Sequence, residues 1–295
     1  MIKGCSLCHK SPGLFRPDQN LHPHLPHAQS SIAYLAKMSP SKPVIVLVPG
    51  AWTPPAAYHK LVDILKSSPY NYTVHSPSLA SNNGAVAPNT FEADVEVVRS
   101  AVEPLVTAGN EVVLVMHSYG GVVGSSASKD LTKKDRQAAN LPGGISHLFY
   151  ISAYLLAKDQ SAWDVLVEAG GDTPERRTLV EFKDDGTWLP TDAVSGLYHD
   201  LDPEDQKEQV EGIRPHNFTA LLGKATHEPW RDVPSSYVYS AEDLWVPPSF
   251  QDICLNNAKN AGVHVDIHKF PCAHAAYVNH RKEVAELIHQ AAVPK

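Results

Sequence analysis

The sequence predicts an α/β fold: a mostly parallel sheet of about six strands, flanked by helices, with a helical cap inserted in the second half of the chain. Two observations carry this. From Val44 onward, short apolar runs alternate with amphipathic stretches, the pattern of βαβ units. The chain has 295 residues with 43% hydrophobic and 19% charged content, enough to bury a large core without metal or disulfide support. Right-handed crossovers then make the sheet parallel.

The elements follow in order. Val44-Ile-Val-Leu-Val48 is a continuous apolar run, as in a strand buried on both faces, and Pro49-Gly50 ends it. Tyr58, Leu61, Val62 and Leu65 recur at helical spacing. Residues 72–75 read as a second strand. Phe91, Val95, Val98, Val102 and Leu105 line one face of a helix beginning near Thr90. Residues 111–116, 145–151, 236–239 and 263–268 give four more strands, the last containing His264 and His268. Val284, Leu287, Ile288 and Ala291 mark a closing helix.

Residues 154–234 break this rhythm. They are rich in charge and turn signals, including Gly170-Gly171-Asp172, Asp184-Asp185-Gly186 and a helix start at Asp202-Pro203-Glu204. Helical faces are expected at Trp163, Leu166 and Val167, and at Val210 and Ile213. The segment reads as a cap over a core made of residues 40–153 and 235–295. Residues 1–39 read as a flexible extension. Their Cys5-Ser-Leu-Cys8-His9 run matches a haem-attachment or zinc pattern, but too few apolar residues surround it to fix a site. No metal and no cofactor is expected.

Several function classes are excluded. The net charge of -7 and the lack of a Lys/Arg cluster argue against nucleic acid as a partner. No apolar run reaches the ~18 residues of a membrane span. The first ten residues lack a secretory apolar segment. Four cysteines are too few for a disulfide scaffold. A cytoplasmic protein acting on a small molecule is expected, its oligomeric state left open.

The chemistry concentrates at Glu111-Val-Val-Leu-Val-Met-His-Ser118-Tyr-Gly-Gly121. A buried strand runs straight into His-Ser-Tyr-Gly-Gly, a variant of the nucleophile elbow with Met116 in place of the first glycine. The sharp turn holds a serine at the top of the sheet and tolerates only small neighbours. A second Ser-x-Gly, at Ser11, follows no strand. A serine hydroxyl needs a base, and the base needs an orienting acid. His274, between the sixth strand and the last helix, is the candidate base. Asp243, just past the fifth strand, is the candidate acid, with Glu242 beside it as an alternative. Both sit at carboxyl ends of parallel strands, where open α/β sheets place their sites. The backbone N–H groups of Tyr119 and Ala51, with Trp52 as a further donor, are the candidate oxyanion hole. Trp52, Trp163, Trp188, Trp230 and Trp245 are candidate linings of an apolar substrate pocket.

Together, residues 44–52, 113–121, 236–251 and the His274 loop resemble the α/β-hydrolase superfamily, within it the compact branch of plant methylesterases, hydroxynitrile lyases and microbial esterases. Leu197-Tyr-His-Asp-Leu-Asp-Pro-Glu204 and Pro229-Trp-Arg-Asp-Val-Pro234 resemble the cap and cap exit of microbial members. The resemblance covers roughly residues 43–291 and implies the α/β-hydrolase fold, with Ser118 as nucleophile, Asp243 as acid and His274 as base. Pro49 stands where a His commonly precedes the oxyanion-loop glycine, and Met116 where the elbow has Gly. Ala275 stands where the cyanohydrin-cleaving lyases carry Lys, which turns the expectation away from cyanide chemistry. The expected reaction is serine-dependent hydrolysis of a small carboxylic ester or lactone through an acyl-enzyme. The same triad would serve a lyase or an acyl-transfer or cyclising enzyme of specialised metabolism, and the same fold a non-catalytic small-molecule receptor.

Overall fold

The computed structural model describes residues 42–83 and 90–293. The expected extension of residues 1–39, with its Cys5/Cys8/His9 motif, lies outside them. Strands β1 (Val44–Val48), β2 (Val74–His75), β3 (Glu111–His117) and β4 (Gly144–Ile151) precede three cap strands, β5 (Val180–Phe182), β6 (Thr187–Pro190) and β7 (His216–Asn217). Strands β8 (Ser235–Ser240) and β9 (Asp266–Phe270) complete the main sheet. Its six strands run in the order β2-β1-β3-β4-β8-β9, and each described pairing is parallel. This is the α/β-hydrolase fold, with helices on both faces and a cap.

The central strands are buried along their length because helices cover both faces. All five residues of β1 are buried, as are six of the seven in β3. Helix Thr90–Thr107 buries Phe91, Val98 and Val102, with Val95 and Leu105 half-buried beside them. Helix Arg281–Ala292 buries Val284 and Ile288. Each such side chain contributes about 1.5–3 kcal/mol of transfer free energy.

Two strand bounds differ from expectation. β2 is shorter, because Tyr72 turns inward and its hydroxyl meets His289 Nδ1 at 2.7 Å. β9 begins at Asp266, not at residue 263. Gly262 takes a left-handed conformation (φ 71°) and Val263 N–H donates to Ala258 O, so residues 260–263 are spent ending helix Pro248–Asn260. His264 therefore lies outside the strand, exposed and bonded to Asp266 at 2.9 Å.

The cap is largely helical but also holds a three-stranded antiparallel sheet, β5-β6-β7. Asp184-Asp185-Gly186 is the turn of its first hairpin, closed by Lys183 N–H to Thr187 O at 2.8 Å. Helix Pro203–Gly212 starts as expected, with the Asp202 side chain accepting from Asp205 N–H and Pro203 in its first turn. Val167 and Val210, expected on buried faces, are exposed at 49% and 38%. The faces of these short helices are set by how they lie on the core, which local periodicity does not report. Among the described residues no helix is long and apolar enough to cross a membrane.

The sharp turn after β3 brings helix Gly120–Ala127 against the end of β1. A Cβ on Gly120 would lie 2.5 Å from Pro49 O and 2.6 Å from Val48 O, both backbone atoms. In an open helix Gly→Ala stabilises; here the sign reverses. Gly120→Ala is expected to destabilise by about 1–3 kcal/mol through overpacking. A urea melt reads this as a lower midpoint at unchanged slope; an unchanged or higher midpoint would contradict the close approach.

Candidate active site

Ser118 sits at the apex of that turn with φ of 53°, a left-handed conformation rare for a residue with a side chain. Its backbone is held there. The N–H donates to Ile151 O at 3.1 Å, and the carbonyl accepts from Gly121 N–H at 3.0 Å and Tyr154 N–H at 3.1 Å. Met116, two residues earlier, fits because of a glycine elsewhere. A Cβ on Gly124 would lie 2.6 Å from Met116 Sδ, so that missing side chain leaves room for the thioether.

His274 and Asp243 come together from the ends of β9 and β8. His274 Nδ1 and Asp243 Oδ2 are 2.6 Å apart, and both side chains are almost fully buried. The other carboxylate oxygen accepts from Trp245 and Val246 N–H, each at 2.8 Å. A neutral imidazole that donates from Nδ1 keeps Nε2 as an acceptor, the tautomer a general base requires. Glu242, the alternative acid, is exposed, and its N–H is bonded to Cys272 O. Among the described residues no hydrogen bond joins the Ser118 hydroxyl to the imidazole. Such bonds often tighten only with substrate in place.

Ala51 and Tyr119 line the same cavity as Ser118. Neither of their amide hydrogens is taken by another group among the described residues. Trp52 is different: its N–H donates to Asn82 Oδ1 at 2.8 Å, which removes it from the candidate oxyanion donors. Asn82 Nδ2 also donates to Gly50 O at 2.9 Å, so one buried side chain holds the whole loop after β1.

A second clamp joins this loop to the base. Gly50 N–H donates to the Tyr58 hydroxyl at 3.0 Å. Tyr58 Oη and His117 Nδ1 are 2.8 Å apart, and His117 Nε2 is 3.2 Å from His274 O. A carbonyl only accepts, so His117 carries its proton on Nε2, and the Tyr58 hydroxyl donates to Nδ1. Burial holds the His117 imidazole well below its ordinary range, which keeps it neutral. His117 thus ties the loop after β1 to the backbone of His274. Asp200 pins the other side, its Oδ2 accepting from Ala273 N–H at 2.8 Å and Asn279 Nδ2 at 2.6 Å. Tyr119 is anchored by its hydroxyl, which donates to Asp94 Oδ2 at 2.8 Å; burial raises the Asp94 carboxyl against that bond and others from Ser81. Asn82 and Asp94 carry no local motif, and Tyr58 on its helical face and Asp200 in its cap segment give no sign in the sequence of supporting the site.

The cavity beside Ser118 has a volume of about 330 Å³. Trp52, Trp163, Trp188 and Trp245 line it, joined by Phe182 and Phe218. Trp52 is packed into this wall, its ring 4.2 Å from that of Trp188 at a tilt of 59° and its Nε1 donating to Trp188 O at 2.9 Å. Trp188 Nε1 donates in turn to His216 Nδ1 at 3.0 Å; burial pushes this imidazole down to about 3, so it stays neutral. Trp230 does not line the cavity. It is wholly buried under Arg231, with its indole N–H bonded to Leu156 O at 2.9 Å, and serves packing where the cap rejoins the core. Among the described residues no group of three or more His, Cys, Asp or Glu side chains is placed to hold a metal ion.

A serine at the strand–helix turn, a buried His–Asp pair and unspent amides on one cavity define the serine hydrolase class. The model of the alpha/beta hydrolase family matches residues 45–287, and the chain belongs to that family. A relative from Aspergillus novofumigatus, "Alpha/beta hydrolase nvfD", is 31% identical over 255 residues, spanning 85% of this chain and 97% of its own. Among solved structures, a pyrethroid hydrolase from Sphingobium faniae matches with a TM-score of 0.62 at 20% identity, over 85% of this chain and 97% of that one. A methylesterase from Arabidopsis matches with a TM-score of 0.63 at 17% identity, over 84% and 98%. The two structural likenesses speak for the fold.

Proposed function

We propose that the chain hydrolyses a small carboxylic ester or lactone in two steps at Ser118. His274 Nε2 takes the hydroxyl proton as Oγ attacks the carbonyl carbon. Asp243 holds the imidazole and stabilises the imidazolium that forms. The tetrahedral oxygen accepts from the Ala51 and Tyr119 N–H groups. Collapse breaks the ester bond, and His274 returns the proton to the leaving alcohol. Water then attacks the acyl-enzyme by the same proton route and frees the acid. A lactone opens in the first step and leaves as a hydroxy acid.

The observation that carries this reading is the buried His274–Asp243 bond, set in the tautomer that leaves Nε2 free to accept. The aromatic cavity supports an apolar body on the substrate. The unpaired, buried thiols of Cys254 and Cys272 support a reducing compartment and a cytoplasmic location. A fluorophosphonate probe, which traps only an activated serine, tests the site. Labelling is expected at one residue, found by peptide mass spectrometry on the Ser118 peptide. No labelling, or labelling elsewhere, would remove Ser118 as the nucleophile.

A further inference from the structure

Among the described residues, one charge in the cavity wall has no counterpart. Arg176, on the short cap helix Pro174–Arg177, lines the same cavity as Ser118. Its guanidinium lies 4.8 Å from the centre of the Phe250 ring and 5.8 Å from that of Trp245. It donates one N–H to Trp245 O. A guanidinium has five such donors in a planar fork. Among the described residues no carboxylate forms an ion pair with it. The carboxylates nearby are already engaged. Asp172 receives both arms of the Arg177 fork, at 2.9 and 3.0 Å. The Asp243 oxygens are taken by His274, Trp245 and Val246.

Aromatic rings on the cation and a cavity in front of it make a poor setting for an unpaired charge. Burial lowers the proton affinity of Arg176, with Tyr154 and Asp243 pulling weakly the other way, yet a guanidinium stays protonated. Arg176 is half-buried, and a charge partly withdrawn from water is stabilised by a partner. Arg176 lines the cavity, so a bound molecule can supply the partner. The matching group is a carboxylate, whose two oxygens fit the fork bidentately.

We propose that Arg176 recognises a free carboxylate on the substrate, so that the preferred substrates are small esters or lactones that are also carboxylic acids. The carboxylate binds at the cap, the apolar body lies against the tryptophans, and the ester carbonyl reaches Ser118. This rests on the hydrolase reading above, and the test separates the two.

Two matched pairs of esters place the carboxylate on either side of the scissile bond. On the acyl side, mono(4-nitrophenyl) glutarate is compared with 4-nitrophenyl valerate. On the alcohol side, 4-carboxyphenyl valerate is compared with phenyl valerate. The readout is the ratio of kcat/KM for the charged ester over its neutral twin, which cancels any general damage from a substitution. In the native enzyme one pair is expected to favour the charged ester, and the pair that does so assigns the side. In Arg176→Met that ratio is expected to fall about ten- to a hundredfold, mainly through KM. Arg176→Lys keeps the charge without the fork and is expected to retain part of the preference. A native enzyme with no preference for either charged ester, or a preference that survives Arg176→Met, overturns the proposal. If no ester is cleaved at all, the hydrolase reading fails, and Arg176 is judged by binding alone. Tryptophan fluorescence then reports 1-naphthoate against 1-naphthalenemethanol. Tighter binding of the acid that is lost in Arg176→Met sustains the carboxylate site; equal binding of the two overturns it.

Discussion

Ser118→Ala is expected to lower kcat on 4-nitrophenyl acetate by about 10⁵-fold, the scale on which a triad nucleophile acts together with its base. The substitution removes one oxygen and little else. Three backbone hydrogen bonds, from Ser118 N–H and to Ser118 O, hold the left-handed turn, and alanine keeps all three. The hydroxyl makes no hydrogen bond among the described residues, so its loss leaves no buried partner unsatisfied. Alanine at φ of 53° carries the same steric strain as serine, so the thermal midpoint is expected to move little. Activity and stability should therefore separate cleanly. Nitrophenolate release within tenfold of the native rate would show that another group attacks the ester. A large drop in midpoint would show that the hydroxyl has a structural role not visible in its contacts.

The parts of this site that were legible in the sequence are those that local rules constrain. A strand buried on both faces has to be a continuous apolar run, so β1 and β3 stand out. A strand that turns at once into a helix needs small residues, so Ser-Tyr-Gly-Gly at positions 118–121 stands out as well. Chain order leaves five of the sixteen histidines after Asp243, and the position between the sixth strand and the last helix singles out His274. The supporting groups are different in kind. Asn82, Tyr58 and Asp94 are single polar residues whose partners lie between 8 and 59 positions away, and no spacing announces them. The tryptophans show the same limit. Trp188 and Trp230 are alike as residues, yet one lines the cavity and the other fills the core, which only the packing of the cap decides. The short cap strands were half legible. Val180-Glu-Phe182 and Thr187-Trp-Leu-Pro190 flank Asp-Asp-Gly, a hairpin signal, but each is too short to show a period of two. Arg176 has no signal at all, because an unpaired charge is a property of what surrounds it.

The clamps also bear on how the site stays assembled. The oxyanion loop and the base come from opposite ends of the chain, after β1 and after β9. Gly50, Tyr58, His117 and His274 O form one chain of hydrogen bonds between them, in which each donor meets an acceptor. A buried polar network that is fully satisfied fixes geometry more firmly than apolar packing does. Under the roles proposed for Ala51 and His274, the neutral ring of His117 is therefore one of the groups that hold the oxyanion donor and the base at a fixed distance.

Asp243→Asn tests the acid and the tautomer together. The amide oxygen of asparagine can still accept from Trp245 and Val246 N–H, since both bonds go to one oxygen of the present carboxylate. Its NH₂ then replaces the oxygen that faces His274 Nδ1. Two donors cannot share that contact, so Nδ1 becomes the acceptor and the proton moves to Nε2. The nitrogen required to take the serine proton now carries one of its own. A fall in kcat of about 10⁴-fold is expected, with the fold retained because the shape and backbone bonds of residue 243 persist. Glu242→Gln is the control. Glu242 is exposed and its side chain makes no hydrogen bond to the imidazole, so that variant is expected to stay within about twofold of native activity, as surface substitutions generally do. Ester turnover at pH 8 reads both variants in one assay. The assignment of Asp243 is lost if Asp243→Asn retains a tenth or more of native kcat, or if Glu242→Gln falls alongside it.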